Sequence, residues 1–313
     1  MRWVVVMGTV LLGACAMPVT QAIEAPPPTT PTPRLFVTGA DGRVVIQPRG
    51  SKAPSTLQYR RADGTYDDDA RNKLRRILRS HDGGERTPPW RLVEVLGRVW
   101  ELGGRRTLTV NSGYRSPTYN EGLIARGRKA AGGSMHTEAL ATDLAIPGAN
   151  LRDLWIELRG LECCGVGFYG KDGFLHVDVG QPRFWEATTS GVEKNLSAGN
   201  ARLFARTDWD RYAPRAPIAI SLHSLTVPPV GIAAAATMVF DDGQRTAVAL
   251  DDGSGAAADC MAIDMRDAVL HATGPARAGR GRLELRTCPP QPESTPTEVW
   301  SNALEVVGAD HPK

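Results

Sequence analysis

Two short stretches, Gly133–Asp143 (G-S-M-H-T-E-A-L-A-T-D) and Phe174–Gly180 (F-L-H-V-D-V-G), most constrain what this chain can fold into. They hold His136, Asp143 and His176, and two imidazoles with one carboxylate are a common set of zinc ligands that leaves the fourth position open. If the three share an ion, the fold must bring a glycine-rich bend and two strands to one point. The alternative is that each histidine is an ordinary surface or core residue. The spacing matches none of the short helical metal signatures such as H-E-x-x-H, so spacing alone does not decide. The surroundings favour a shared site. Gly132-Gly133 allow a tight bend, Ala139, Ala141 and Ala145 let backbones approach, and Leu144-Ala145-Ile146 reads as a buried strand with Asp143 at its mouth.

A chain of 313 residues has room for two domains, and 42% apolar residues suffice for a core. Few aromatics with 33 Gly and 23 Pro favour loops and short strands over a helical bundle. A net charge of +3, with no basic block interleaved with aromatics, argues against a nucleic-acid partner.

The N-terminus reads as an export signal, residues 1–22. Met1-Arg2 is its positive region, and Trp3–Gly13 is apolar but too short to span a membrane. Leu12-Gly13-Ala14-Cys15 resembles a bacterial lipobox, which implies lipidation at Cys15; the alternative is cleavage at a small residue such as Ala22. Ala16-Met17 resemble outer-membrane sorting, so the expectation is a periplasmic lipoprotein that meets the membrane only through its anchor. In that oxidising compartment Cys260 and Cys288 can bridge. Cys163-Cys164 read as small buried residues, or one of them pairs elsewhere.

Residues 23–34 form a Pro-rich tether that cannot build a core. Weak alternation around Asp41-Gly42 and Asp63-Gly64 makes residues 35–66 a hairpin region. Helices are expected from Asp67-Asp68-Asp69 to about Ser80, from Pro88-Pro89 to Gly103-Gly104, from Ser116-Pro117 to about Arg126, and over Leu151–Leu161. Thr107–Val110 is a strand, and Gly165–Tyr169 with Phe174–Val179 is a hairpin turning at Lys171-Asp172-Gly173. From residue 187 to 313 short β-like runs alternate with turn signals at Asp242-Gly243, Asp252-Gly253 and Gly274-Pro275. His223 and His271 fall within these runs and read as structural. The expected fold is α+β: a small antiparallel sheet with flanking helices carrying a zinc site over residues 67–186, then a small all-β, sandwich-like domain.

Three ordered motifs now carry a resemblance: S-G-Y-R-S-P-T-Y-N at Ser112–Asn120, S-M-H-T-E-A-L-A-T-D at Ser134–Asp143, and G-V-G-F-Y, F-L-H-V-D-V-G and R-F-W across Gly165–Trp185. Together they resemble the zinc D-alanyl-D-alanine peptidases of the superfamily shared with lysostaphin-type enzymes and the hedgehog signalling domain, and most of all the exported murein endopeptidases of the YcbK (MepK) type. The resemblance covers residues 67–186 and implies Zn2+ on His136, Asp143 and His176, peptidoglycan as substrate, and Arg115 as a catalytic and substrate-binding cation. It also implies substrate contacts at Tyr114, Asn120 and Ser134.

The general base is the gap in the pattern. Where the dipeptidase branch has Glu, this chain has Gly173; where others have His, it has Phe174. Strand alternation puts Asp178 on the face of His176, as base or as the group that orients the imidazole, with base slightly favoured. Glu138 and Asp172 are lesser candidates and read as solvent-facing. Two rival readings remain: a peptidoglycan-binding lipoprotein without chemistry, and a protein whose C-terminal part docks a partner.

Overall fold

In the computed structural model of the chain, residues 33–38, 41–127, 130, 133–161, 163–189, 199–253, 259–265 and 268–308 are described, with Met1. Beyond Met1 the export signal, Cys15 and residues 23–32 of the tether lie outside the described residues.

The first half is one mixed sheet with helices packed on it. Its strands are β1 (Arg43–Pro48), β2 (Ser55–Gln58), β3 (Leu108–Ser112), β4 (Ala141–Ala145), β5 (Gly165–Tyr169), β6 (Phe174–Asp178) and β7 (Arg183–Glu186), in the seven-stranded order β2-β1-β3-β4-β6-β5-β7. The expected small antiparallel sheet is thereby corrected. β1 runs parallel to β3 and β7 parallel to β5. The two additions come from segments that look separate in sequence. β1 and β2 form the hairpin within residues 35–66 and join the sheet beside β3, and β7 continues the sheet past β5.

Local chemistry sets the helices. α1 (Asp68–Ile77) starts where the Asp67 carboxylate accepts from the Asp69 and Ala70 N–H groups. Acids in its first turn and Arg75-Arg76 in its last complement the helix dipole. α2 (Trp90–Leu102) buries Leu92, Val95, Leu96 and Val99. It also buries Glu94, which accepts from Arg60 Nε at 2.7 Å and from the Tyr59 and Tyr66 hydroxyls. An apolar face with a buried carboxylate is tolerable because each oxygen has a donor. α3 (Pro117–Ala125) is capped by Ser116, with Pro117 in its first turn. α4 (Leu151–Gly160) is capped by Asn150 and packs Leu154, Trp155 and Leu158 inward.

The second half is a ten-stranded sheet built from β8 (Phe204–Thr207), β9 (Arg211–Tyr212), β10 (Pro217–His223), β11 (Val230–Phe240), β12 (Arg245–Asp251), β13 (Cys260–Ile263), β14 (Val269–Thr273), β15 (Gly279–Cys288), β16 (Glu298–Trp300) and β17 (Leu304–Val306). β16 hangs from β15 yet packs against β8, so the sheet curls over on itself around one apolar cluster. Disulfides join Cys260 to Cys288, on strands that both flank β11, and Cys163 to Cys164. The adjacent pair is thus bonded to itself, with Cys164 buried in the first apolar cluster and Cys163 packed against it.

The buried apolar side chains form two clusters, with Phe204 of β8 belonging to the first. Polar contacts tie the halves together. Arg91 of α2 reaches Asp210 at 2.7 Å, and the Arg34 backbone bridges to Arg211.

Candidate metal centre and active site

Strand register assembles the site. Ser112 on β3 pairs with Asp143 on β4, Asp143 with His176 on β6, His176 with Gly167 on β5, and Gly167 with Trp185 on β7. Side chains directly across a ladder share a face, so these five positions form one row. A second row lies two residues along: Ala141, Asp178, Gly165 and Arg183. The two glycines of G-V-G-F-Y sit in these rows because their neighbours need the space. A Cβ at Gly167 would run into the Trp185 ring, and one at Gly165 into the Asp178 carboxylate. Gly165→Ala should therefore push Asp178 off His176 and destabilise the protein by about 1–3 kcal/mol as an overpacked buried site. A melting temperature equal to that of the parent would contradict this crowding.

His136 comes from outside the sheet. It sits on a tight 3-10 turn, Met135–Glu138, begun by Ser134, whose hydroxyl accepts from the His136 N–H and whose carbonyl accepts from Thr137. The turn closes at Ala139, in the left-handed region at φ 55°. Arg115 N–H donates to the His136 carbonyl, and His136 Nδ1 donates to the Gly113 carbonyl at 2.7 Å. Gly113 has no room for a side chain against the Leu78 backbone.

These elements leave three donor atoms facing one another. His136 Nε2 lies 3.3 Å from His176 Nδ1 and 3.4 Å from Asp143 Oδ1, and His176 Nδ1 lies 2.9 Å from Asp143 Oδ1. They form a buried His-Asp-His group able to hold a metal ion. The far nitrogen of each imidazole is already engaged, His136 Nδ1 on a carbonyl and His176 Nε2 on Asp178 Oδ2 at 2.9 Å. Such outer hydrogen bonds fix ring orientation and direct the other nitrogen to a metal.

Burial sets the charges. It holds the His136 pKa below the ordinary value despite Asp143 nearby. For His176 burial acts the same way, but hydrogen bonds to Asp143 and Asp178 outweigh it and raise the pKa. Burial works to raise Asp143, but the two imidazoles hold it well below the usual carboxylate range. Asp178, fully buried, is kept ionised against burial by Arg183 and His176.

The sequence-derived site residues separate into distinct places. Arg115 lies against the triad, with Nη2 on Asp143 Oδ2 at 3.0 Å and Nε on Ser112 Oγ at 2.9 Å. Ser134 is the cap of the His136 turn. Asn120 is buried in α3, and Tyr114 anchors its backbone on Leu78.

Asp178, the favoured candidate for general base, hydrogen-bonds the His176 ring itself. It binds the Nε2 edge of His176, opposite the Nδ1 edge that faces the triad. Its oxygens are filled by His176, Arg183 Nη2 at 2.7 Å and Gly180 N–H at 2.8 Å. It is placed to orient the imidazole. Glu138 is not solvent-facing either. It is buried against His223 Nδ1 at 2.6 Å and the Ser224 N–H. Asp172 is exposed in the β5–β6 turn.

Sequence reasoning missed four contributors. Trp185 stands 5.2 Å from the His176 ring, centroid to centroid, and donates to the Tyr169 hydroxyl. Arg183 holds Asp178. From the second half, Arg206 donates to the Gly180 carbonyl and His223 holds Glu138. The G-x-G spacing was the available signal for Trp185 and Arg183; the other two are distant in sequence.

A family model described as peptidoglycan L,D-endopeptidase MepK matches residues 50–185. The peptidoglycan L,D-endopeptidase MepK of Escherichia coli (strain K12) is 32% identical over 196 residues, 59% of this chain and 96% of the relative. The chain belongs to the MepK family. A probable peptidoglycan L,D-endopeptidase MepK of Haemophilus influenzae is 34% identical over 79 residues, 25% of this chain and 42% of that one. The zinc D-Ala-D-Ala carboxypeptidase of Streptomyces albus G is 28% identical over 129 residues, 38% of this chain and 49% of that one. No solved structure gives a significant match. The family-model match spans both rows of the site, from Ser112 to Trp185, and ends before β8.

Proposed function

We propose that this MepK-family chain is a zinc peptidase of peptidoglycan, with the ion held by His136 Nε2, an Asp143 oxygen and His176 Nδ1. One observation carries the reading. The donors stand 3.3, 3.4 and 2.9 Å apart, and atoms sharing a tetrahedral ion at about 2.0–2.1 Å are separated by about 3.3 Å.

Zinc, when bound, supplies a Lewis acid for the scissile carbonyl and lowers the pKa of its water from about 15.7 to about 7. The chain's own groups do the rest. Asp178 holds the His176 N–H so that Nδ1 faces the ion. Arg115, fixed beside Asp143, places a cation where negative charge grows on the substrate oxygen. Trp185 and Tyr169 wall the His176 side. Neither Asp178 nor Glu138 takes the proton of the attacking water, since both are committed elsewhere.

Of the bonds open to such a site, we take the diaminopimelate–diaminopimelate cross-link, an L,D bond, as its substrate, because the family model and the MepK relatives are named for that bond class. Purified protein should carry about one zinc per chain and release peptides from sacculi. Zinc-free protein, or zinc-loaded protein that releases none, would remove the reading. The second result would favour a peptidoglycan-binding lipoprotein without chemistry, a reading supported by Asp143 being the one carboxylate of the cluster among the described residues.

The peptidase unit is taken as residues 67–186, preceded by the hairpin region 35–66 and followed by a β-rich unit, 187–313, that docks a protein partner. Only the boundary near residue 187 has the support of the two apolar clusters, since Val44, Ile46, Leu57 and Tyr59 of the hairpin region share the first cluster, which also takes in Phe204. Export by residues 1–22 and acylation at Cys15 would hold the protein on the periplasmic face of the outer membrane. Cys15→Ser should move it from the membrane to the soluble fraction; an unchanged membrane fraction would count against acylation.

A further inference from the structure

A groove of about 440 Å³ opens between α1 and the C-terminal ends of β1 and β3 in the first sheet. Its walls carry Arg49, Lys73, Arg76, Arg79 and His81, and its floor is Val110–Gly113, with no Asp or Glu lining it. Arg49, Lys73, Arg76, Arg79 and His81 are all solvent-exposed. The pattern of pairing on and around α1 is uneven. Arg71 is paired with Asp68 and Arg75 with Glu85, whereas Lys73, Arg76, Arg79 and Arg49 have no carboxylate partner among the described residues. The acid nearest Arg79 in sequence, Asp82, is turned onto Ser116 and the Gly84 N–H. Cations gathered in one concavity repel one another unless an anion joins them.

The floor runs directly into the metal centre. Ser112 holds Arg115 and pairs with Asp143, and the Gly113 carbonyl holds His136. A substrate with its scissile bond at the triad therefore has this groove as an adjoining channel.

We propose that the groove is a subsite for the free carboxylates of the peptidoglycan stem peptide, read by Lys73 and Arg76 of α1 together with Arg49 and Arg79. This rests on the peptidase reading and specifies its substrate: a stem peptide whose glutamate and diaminopimelate carboxylates are ionised rather than amidated. Arginine and lysine donors to carboxylates make charge-assisted hydrogen bonds, and an amide keeps the shape of the acid while removing its charge.

The test is equilibrium binding of the tripeptide L-Ala–D-Glu–diaminopimelate, which lacks the cross-link, and of its fully amidated form, to the full chain. The native protein should prefer the free acid by about tenfold, the order of two solvent-exposed charge pairs. In Lys73→Gln/Arg76→Gln, whose side chains are exposed, the preference should fall below about twofold. Arg49→Gln/Arg79→Gln gives a second pair of changes in case the first alters α1. No preference in the native protein, or a preference kept in both double variants, overturns the subsite. Binding to phosphatidylglycerol vesicles that is lost in the variants, without any acid-over-amide preference, assigns the groove to phosphates and overturns it too. Cleavage of cross-linked muropeptides is scored separately. Cleavage without the carboxylate preference defeats only the groove, and the preference without cleavage defeats only the peptidase reading.

Discussion

His176→Ala should lose both metal and activity. The zinc content should drop from about one per chain to below about a tenth, and peptide release should fall to background, because two ligands do not hold zinc tightly. His136→Ala should behave alike. The two positions test different parts of the fold, since His176 projects from the middle of the sheet and His136 from the capped 3-10 turn. Both rings are buried, so a melting curve must accompany the metal assay. A folded single variant that keeps full zinc would refute the assignment of that ligand.

Asp178→Asn should separate orientation from proton transfer. The carboxylate accepts from His176 Nε2 and Arg183 and is fully buried. Asn keeps the shape but removes the charge that fixes the imidazole. Loss of such an outer partner typically weakens metal binding by about 10–100-fold. Added zinc should then restore most of the rate. A general base would give the opposite pattern: full zinc with a rate lower by about 10²–10⁴ that no zinc concentration repairs. The competition is readable in one zinc titration of activity. The structure supports the first outcome because Asp178 and the triad lie on opposite edges of the ring.

What the sequence could and could not reveal follows from the range of each interaction. Helix starts were legible because caps are local. Asp67, Ser116 and Asn150 each bond N–H groups two or three residues away. The triad was legible because its motifs repeat a known pattern. Alternation correctly placed Asp178 on the face of His176, but which ring nitrogen it would touch depends on the pose of the imidazole, and that is set by Asp143 on another strand. The parallel partners of β3 and β5 were not legible, since nothing in Arg43–Pro48 or Arg183–Glu186 names a partner far away in sequence. Glu138 looked solvent-facing because its partners, His223 and Ser224, are more than 80 positions away in sequence. The full length of β11 is not legible in sequence, because the run Ala233–Ala236 carries no alternation.

The second half reaches the site at two points, Arg206 on the Gly180 carbonyl and His223 on Glu138. Gly180 and Glu138 each stand two positions past a key side chain, Asp178 and His136. The β-rich region therefore braces the segments that carry the metal centre.

The most direct measurement is digestion of a defined muropeptide dimer joined by a diaminopimelate–diaminopimelate bond, read by mass spectrometry, with metal-stripped protein before and after zinc is returned. The account predicts no monomer from the stripped protein and two monomers once zinc is restored, with His176→Ala inert in both. Intact dimer in the presence of full zinc, or equal cleavage by the stripped protein, would contradict it.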